Sequence, residues 1–154
     1  MITEAIKKIL RGKVFVYVAT ADLDGKPSVA PKFLVKIDKN FLYLADYVIG
    51  KTLENLKINP AVSVSFMDNE NLMGYKLDGA VTLVSSGPEF DAVIEEVQRR
   101  KVSFTAERVI QGVQRGKRHD KFEVALPDRG IVFKVKVEEV TQITAGGELK
   151  REKI

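Results

Sequence analysis

The residues with the most chemistry in them lie at positions 50–55. Within ADYVIGKTLENL (residues 45–56) an apolar, strand-like run ends and a helical pattern begins, with Gly50, Lys51 and Thr52 at the change and Asn55 one turn further on. A helix start presents backbone N–H groups that no carbonyl of its own helix accepts, and its dipole favours an anion. A flexible glycine, a lysine for a charge-assisted contact and a hydroxyl complete a phosphate cradle. One owner of such a segment is the nucleotide-triphosphatase loop. Its pattern needs a further glycine at position 45, where this chain has Ala45, and a surrounding βαβ unit. Read singly, the same residues are ordinary. Lys51 is a solvated lysine, Thr52 a helix cap, Asn55 an exposed helix residue, and Tyr47 a ring packed on the rim of the fold.

Other chemistry is limited by composition. The 154-residue chain has no cysteine and one histidine, His119, which removes disulfides and thiol nucleophiles and leaves too few nitrogen or sulfur ligands for zinc. His119 beside Asp120 reads as a surface histidine, because neighbours in sequence do not by themselves make a triad. Between Arg99 and Lys121 stand eight basic residues against two acidic ones, a larger excess than the net +4 of the whole chain. Such a run could neutralise nucleic-acid phosphates, cover a pocket, or attract an anionic substrate or the phosphate of NAD(P)H. Only Phe104 and Phe122 lie near it to stack on bases, which places nucleic acid behind the other readings.

Several elements must position residues 45–55. Ile2, Ala5, Ile6, Ile9 and Leu10 recur at helical spacing before Gly12. Strands are expected at 13–20, 27–37, 41–45, 61–68, 75–86 and 130–143. Asp-Gly at 24–25 and Asp38-Lys39-Asn40 supply tight turns between the first three. Pro31, which has no N–H to donate, calls for an edge, a bulge or a ligand contact in the second strand. Thr52 is expected to cap a short helix stopped by Asn59-Pro60, and Gly79 to bend the fifth strand. Gly87-Pro88 opens a helix with Phe90, Val93, Ile94 and Val97 on one face. The basic run continues it in part, broken at Gly112 and Gly116. FEVAL (122–126) is a short extended segment, and the tail from Ala145 is expected to fray. Nothing alternates β and α regularly, so the fold class is mainly β: a six-stranded antiparallel split barrel with peripheral helices, in one domain spanning 1–154. No apolar run reaches the roughly 18 residues of a membrane span. With no signal-peptide pattern at the start, a cytoplasmic location is the default expectation.

Beyond the single loop, the order of features resembles the FMN-binding split-barrel family of pyridoxamine-phosphate oxidase. The resemblance runs from the first helix through the Asp-Gly hairpin, PSVAPKFLV, FLYLAD, then G-K-T-x-x-N-L-x-x-N-P-x-V, to GAVTLVSSGPEFDAVIEEV, covering about residues 5–100 and the closing strand. The resemblance implies that Gly50, Lys51 and Thr52 bind the FMN phosphate, and that Asn55 holds the loop or touches the phosphate. It implies that Val29, Ala30, Pro31 and Lys32 run along the isoalloxazine ring with their backbone groups, and that Ala45, Asp46 and Tyr47 line the ribityl chain and ring. It also implies a homodimer with the flavin at its interface, the partner completing the pocket. The tail GGELKREKI lacks the Arg-, Trp- and His-rich pattern with which full-length oxidases grip substrate. The implied activity is therefore that of an FMN-dependent oxidoreductase of unassigned substrate, with NAD(P)H a candidate donor and no catalytic side chain required. Three alternatives stand beside it: a non-catalytic FMN electron carrier, a barrel that has changed ligand to haem or a deazaflavin, and a basic nucleic-acid-binding module.

Overall fold

The structure is a computed structural model that describes residues 1–47, 50–115 and 130–154. It begins with helix α1 (Glu4–Arg11), where Thr3 accepts a hydrogen bond from the Ile6 N–H, Glu4 lies in the first turn, and Lys8 and Arg11 lie in the last. Each of these placements complements the helix dipole or its unpaired N–H groups. Ile2, Ile6 and Leu10 are buried, so α1 lays one apolar stripe on the barrel.

Strands β1 (Phe15–Ala21), β2 (Pro27–Asp38) and β3 (Phe41–Asp46) form the expected meander. Gly25 turns the first hairpin at φ 81°, a conformation that costs glycine little. Helix α2 (Lys51–Ile58) follows, then β4 (Ala61–Asp68), β5 (Met73–Val84), helix α3 (Pro88–Arg115) and β6 (Ile131–Ile143). The sheet runs β3-β2-β1-β4-β5-β6, and β3 also pairs β6 from Phe41↔Lys136 to Asp46↔Ile131, which closes six antiparallel strands into a barrel. Closure pairs the edges that a flat sheet of these strands would leave at β3 and β6.

Alternation along each strand divides the apolar residues into two clusters. Val16, Val18, Leu34, Leu42, Leu44, Val64, Leu77, Phe133 and Val135 fill the interior. Phe33, Val35, Tyr43, Ala45 and Val132 point outward and are covered by Val93 and Val97 of α3. Gly79 lies at a bulge of β5, where a Cβ would come within 1.9 Å of the Lys136 carbonyl oxygen. That close backbone approach is the physical content of the expected bend.

Two expectations of the fold are corrected. The tail does not fray throughout: β7 (Leu149–Lys153) pairs β6 from Glu139↔Lys153 to Ile143↔Leu149. Its side chains are all exposed, so backbone hydrogen bonds hold it and no apolar pattern announces it. Gly112 does not break α3, which continues to Arg115, since one interior glycine costs only about 1 kcal/mol relative to alanine. Gly116, the FEVAL segment, and His119 with Asp120 lie outside the described residues.

Candidate functional site

β2 changes partner midway along its length. It meets β1 from Pro27 to Phe33, but β3 only from Phe33 to Asp38. Residues 27–32 therefore keep one edge clear of any described strand. Pro31 sits there in unbroken register opposite Tyr17, while the bulge of β2 falls between Leu34 and Lys36. Of the alternatives for Pro31, the edge is the one observed, where a missing N–H costs no ladder bond.

Parity assigns the side chains of this open stretch. Val29 and Pro31 face outward and are exposed, whereas Lys32 lies on the inward face with Leu34 and is 8% exposed. Asp46 lies inward with Leu42 and Leu44 at the end of β3. Lys32 Nζ donates to Asp46 Oδ1 at 2.8 Å, an ion pair with both side chains out of water. A buried pair of this kind contributes little net stability, because desolvation offsets the attraction.

Ala45 and Tyr47 fall on the other face, against the cluster under α3. The Tyr47 hydroxyl is buried and has no hydrogen-bond partner among the described residues; burial raises its pKa above the usual 10.0. Gly130 makes the contact possible, since a Cβ there would stand 2.6 Å from the Asp46 carbonyl oxygen and 2.8 Å from the Tyr47 ring.

α2 carries the remaining residues. Its N-cap is Gly50, with no side-chain capping bond, and Thr52 is buried one position beyond Lys51. Thr52 is thus not the cap the sequence suggested. The helix start is left with first-turn N–H groups that no side chain caps, the condition under which a helix terminus receives an anion. Lys51 is half exposed, at the long distances of 3.9 Å from Asp22 and 3.8 Å from Glu54. Asn55 is fully buried. Its Nδ2 donates to Thr20 Oγ1 at 3.1 Å, and Asn59 Nδ2 donates to the Ala21 carbonyl at 3.2 Å. These bonds dock α2 on the end of β1 and bring Lys51 beside the β1–β2 turn. Asn55 therefore holds the helix in place; it is not the exposed residue its spacing alone allows.

The structure brings together Lys32 with Asp46, and Gly50, Lys51, Thr52 and Asn55 with the β1 end. Sequence reasoning passed over Thr20 and the pairing of Lys32 with Asp46. The inward placement of Thr20 and Asp46 was available from period-two alternation, since Val16-Val18-Thr20 and Leu42-Leu44-Asp46 each end an inward-facing series with a polar residue, but their partners were not. Gly130 was taken only as the start of a strand.

Residues 2–144 match the pyridoxamine 5'-phosphate oxidase family, and the chain belongs to that family. An uncharacterised protein of Methanocaldococcus jannaschii is 32% identical over 101 residues, which span 64% of this chain and 66% of that protein, just under two thirds of its length. Among solved structures, HupZ of Group A Streptococcus superposes with a TM-score of 0.70 at 22% identity, covering 96% of this chain and 98% of its own. A pyridoxamine 5'-phosphate oxidase-related, FMN-binding protein of Nostoc punctiforme does so at 0.58 and 16% identity, covering 97% and 95%. An F420 reductase has the same fold at a TM-score of 0.57 and 18% identity, covering 90% and 98%. So does HutZ, the haem storage protein of Vibrio cholerae, at 0.61 and 20%, covering 87% and 88%. One barrel architecture thus serves proteins named for different ligands.

Proposed function

We propose that this chain binds FMN and works as an FMN-dependent oxidoreductase, in a homodimer with the flavin at the interface. The observation that carries the reading is the uncapped start of α2 at Gly50, with Lys51 projecting from it, docked beside the open edge of β2. The helix start suits a phosphate dianion in charge and in donors, and Lys51 is its nearest cation. The backbone of Val29 to Lys32, free of a described strand on one side, can meet the polar edge of a flat ring system. Ala45, Asp46 and Tyr47 form the wall between these two features.

Support for a dimer comes from the outer face of β1, β2 and β4. Phe15, Tyr17, Val29 and Met67 are each at least half exposed there, with Pro31 between them. A contiguous apolar face of this kind marks an interaction surface. Bound FMN would supply the electron chemistry, one or two electrons at a time, and the protein would supply binding and orientation. The family and the FMN-binding relative favour FMN over haem or a deazaflavin. The cluster of fixed groups is suited to hold a phosphate and a ring, and it holds no acid–base pair aimed at a substrate.

The test is an absorbance spectrum of the purified protein followed by titration with FMN, F420 and haemin. A flavin spectrum that sharpens on binding is expected, with affinity weakened about tenfold or more by Lys51→Ala, the loss of one charge-assisted contact. A protein that leaves the FMN spectrum unchanged, or takes haemin alone, overturns the reading. Anaerobic mixing with NADH and NADPH then separates an oxidoreductase from a carrier, and sedimentation velocity reports the dimer.

A further inference from the structure

Three concave regions lie outside the residues assigned to FMN, and their linings differ in charge. One, of about 770 Å³, bears Asp78, Glu138 and Glu139 against Lys153. Another, of about 410 Å³, is walled by Phe15, Phe33 and Phe104. The third, of about 470 Å³, lies where α1, the bulged half of β2 and α3 meet, and it carries Arg11, Lys13, Lys36, Arg99 and Arg100 against the single carboxylate of Glu96.

That carboxylate is already engaged. Glu96 Oε2 accepts from Arg99 at 2.6 Å and Oε1 from the Arg100 Nε at 3.1 Å. The two terminal nitrogens of Arg100 are turned into the floor, donating to the Leu34 and Val35 carbonyls at 2.7 and 2.5 Å. One guanidinium thus satisfies the carbonyls loosened by the bulge and sets a fixed positive charge at the base of the groove. At the rim, Lys13 makes no close ion pair among the described residues but lies within the field of Asp68, Lys36 rests on the Tyr43 ring within the field of Glu89, and Arg11 reaches Glu4 only at 3.6 Å. The rest of the lining is aliphatic, from α1, β2 and α3. A cleft with apolar walls and an excess of charge of one sign focuses its field on a counter-ion, and its volume is in the usual range of small-molecule sites.

We propose that this groove binds a small phosphate-bearing anion with an apolar or planar body, of the nucleotide class. The site is separate from the proposed FMN cradle. It uses the other half of β2, about 20 Å from Ala30 to Lys36 along the strand, and shares no residue with α2. Its concavity favours a compact ligand over a nucleic-acid strand, which would follow the convex outer face of α3.

The experiment is an amide NMR titration of the full chain with pyrophosphate and with ADP, at constant ionic strength, repeated on Lys51→Ala and on the Lys13→Ala/Lys36→Ala double variant. Neither lysine of the double variant is buried, and Lys36 touches the core only across the face of the Tyr43 ring, so the fold should survive, and unchanged spectra away from the groove would show it. The expected result is saturable shifts at residues 11–13, 34–37 and 96–100, tighter for ADP than for pyrophosphate. Affinity should fall at least tenfold in the double variant and stay unchanged in Lys51→Ala. Three results overturn the proposal: no saturable shift at the groove, binding lost in Lys51→Ala but not in the double variant, or a short oligonucleotide outcompeting ADP with shifts along the outer face of α3. Failure of FMN to bind would leave this outcome unaffected, because the two sites answer to different substitutions.

Discussion

The two halves of β2 bond different strands and have different surroundings. From Phe33 to Asp38 the strand is bonded to β3, with the Leu34 N–H still reaching the Val14 carbonyl; Leu34 is sealed in the interior, and Arg100 takes up the carbonyls of the bulge. From Pro27 to Lys32 it is bonded on one side, its outward residues are exposed, and its one buried side chain, Lys32, is charged. The closed half is held by packing. The open half is held from the β1 side alone, and backbone groups without a strand partner can meet something other than protein. What differs is the second edge: Arg100 of α3 takes up carbonyls of the half bonded to β3, whereas no described strand pairs the free edge of the half bonded to β1.

Five variants press on that comparison. The largest effect is expected from Asp46→Ala, which leaves Lys32 buried without its counter-charge and should cost about 3–5 kcal/mol in urea unfolding. Lys32→Met with Asp46→Leu should recover most of that loss, since apolar packing replaces a desolvated pair. If the single and double variants are equally unstable, the pair is a packing element and the contrast is drawn in the wrong place. In the closed half, Leu34→Ala should cost about 2–5 kcal/mol by cavity formation, while Val29→Ala in the open half should stay within about 0.5 kcal/mol. Equal losses would mean that both halves of β2 are buried in solution, and a concentration-dependent loss for Val29→Ala would locate a partner on the open half.

A further small effect concerns the outer side of the half bonded to β3. There, Tyr43 Oη and Lys134 Nζ both donate to Glu89 Oε1, at 2.8 and 2.6 Å. These bonds, that from Lys134 first, hold the Glu89 carboxyl below its ordinary 4.5, and the same bond raises Lys134 above 10.5. A lowered carboxylate contributes stability above its unfolded value and loses it as pH falls through the folded one. A raised lysine contributes below its unfolded value and loses it as pH rises through the folded one. Thermal melts of Glu89→Gln against the parent should therefore differ most between about pH 5 and 10 and converge on either side. At this exposure the difference should be under about 1 kcal/mol. A gap independent of pH would assign the contact to packing alone.

Much of the fold was legible from local chemistry. Asp-Gly at 24–25 specifies a hairpin turn, Gly87-Pro88 starts a helix, and strict alternation at 130–143 marks the closing strand. α2 was visible, yet its cap was misassigned, because threonine at 52 fits the rule for capping while Gly50 holds the extended backbone that defines the position. β7 was invisible because LKREK buries nothing and is held by main-chain bonds, which every non-proline residue can make. Within the candidate site, the loop residues could be read from type and spacing. The Lys32–Asp46 pair joins residues 14 apart and needed the register of two strands.

From its own order of residues the chain determined which segments are strands and helices, where they turn, and that a helix start carrying Gly50, Lys51 and Thr52 follows the third strand. These depend on side chains acting within a few residues of one another. Only the tertiary structure decided that β3 closes on β6 about 90 residues later, that half of β2 is left open, and that five cations from three elements converge on one groove. The reason is that alternation tells a strand which face to bury but not which neighbour to bond. Backbone donors and acceptors are the same along the whole chain, so pairing is selected by the packing of the complete barrel.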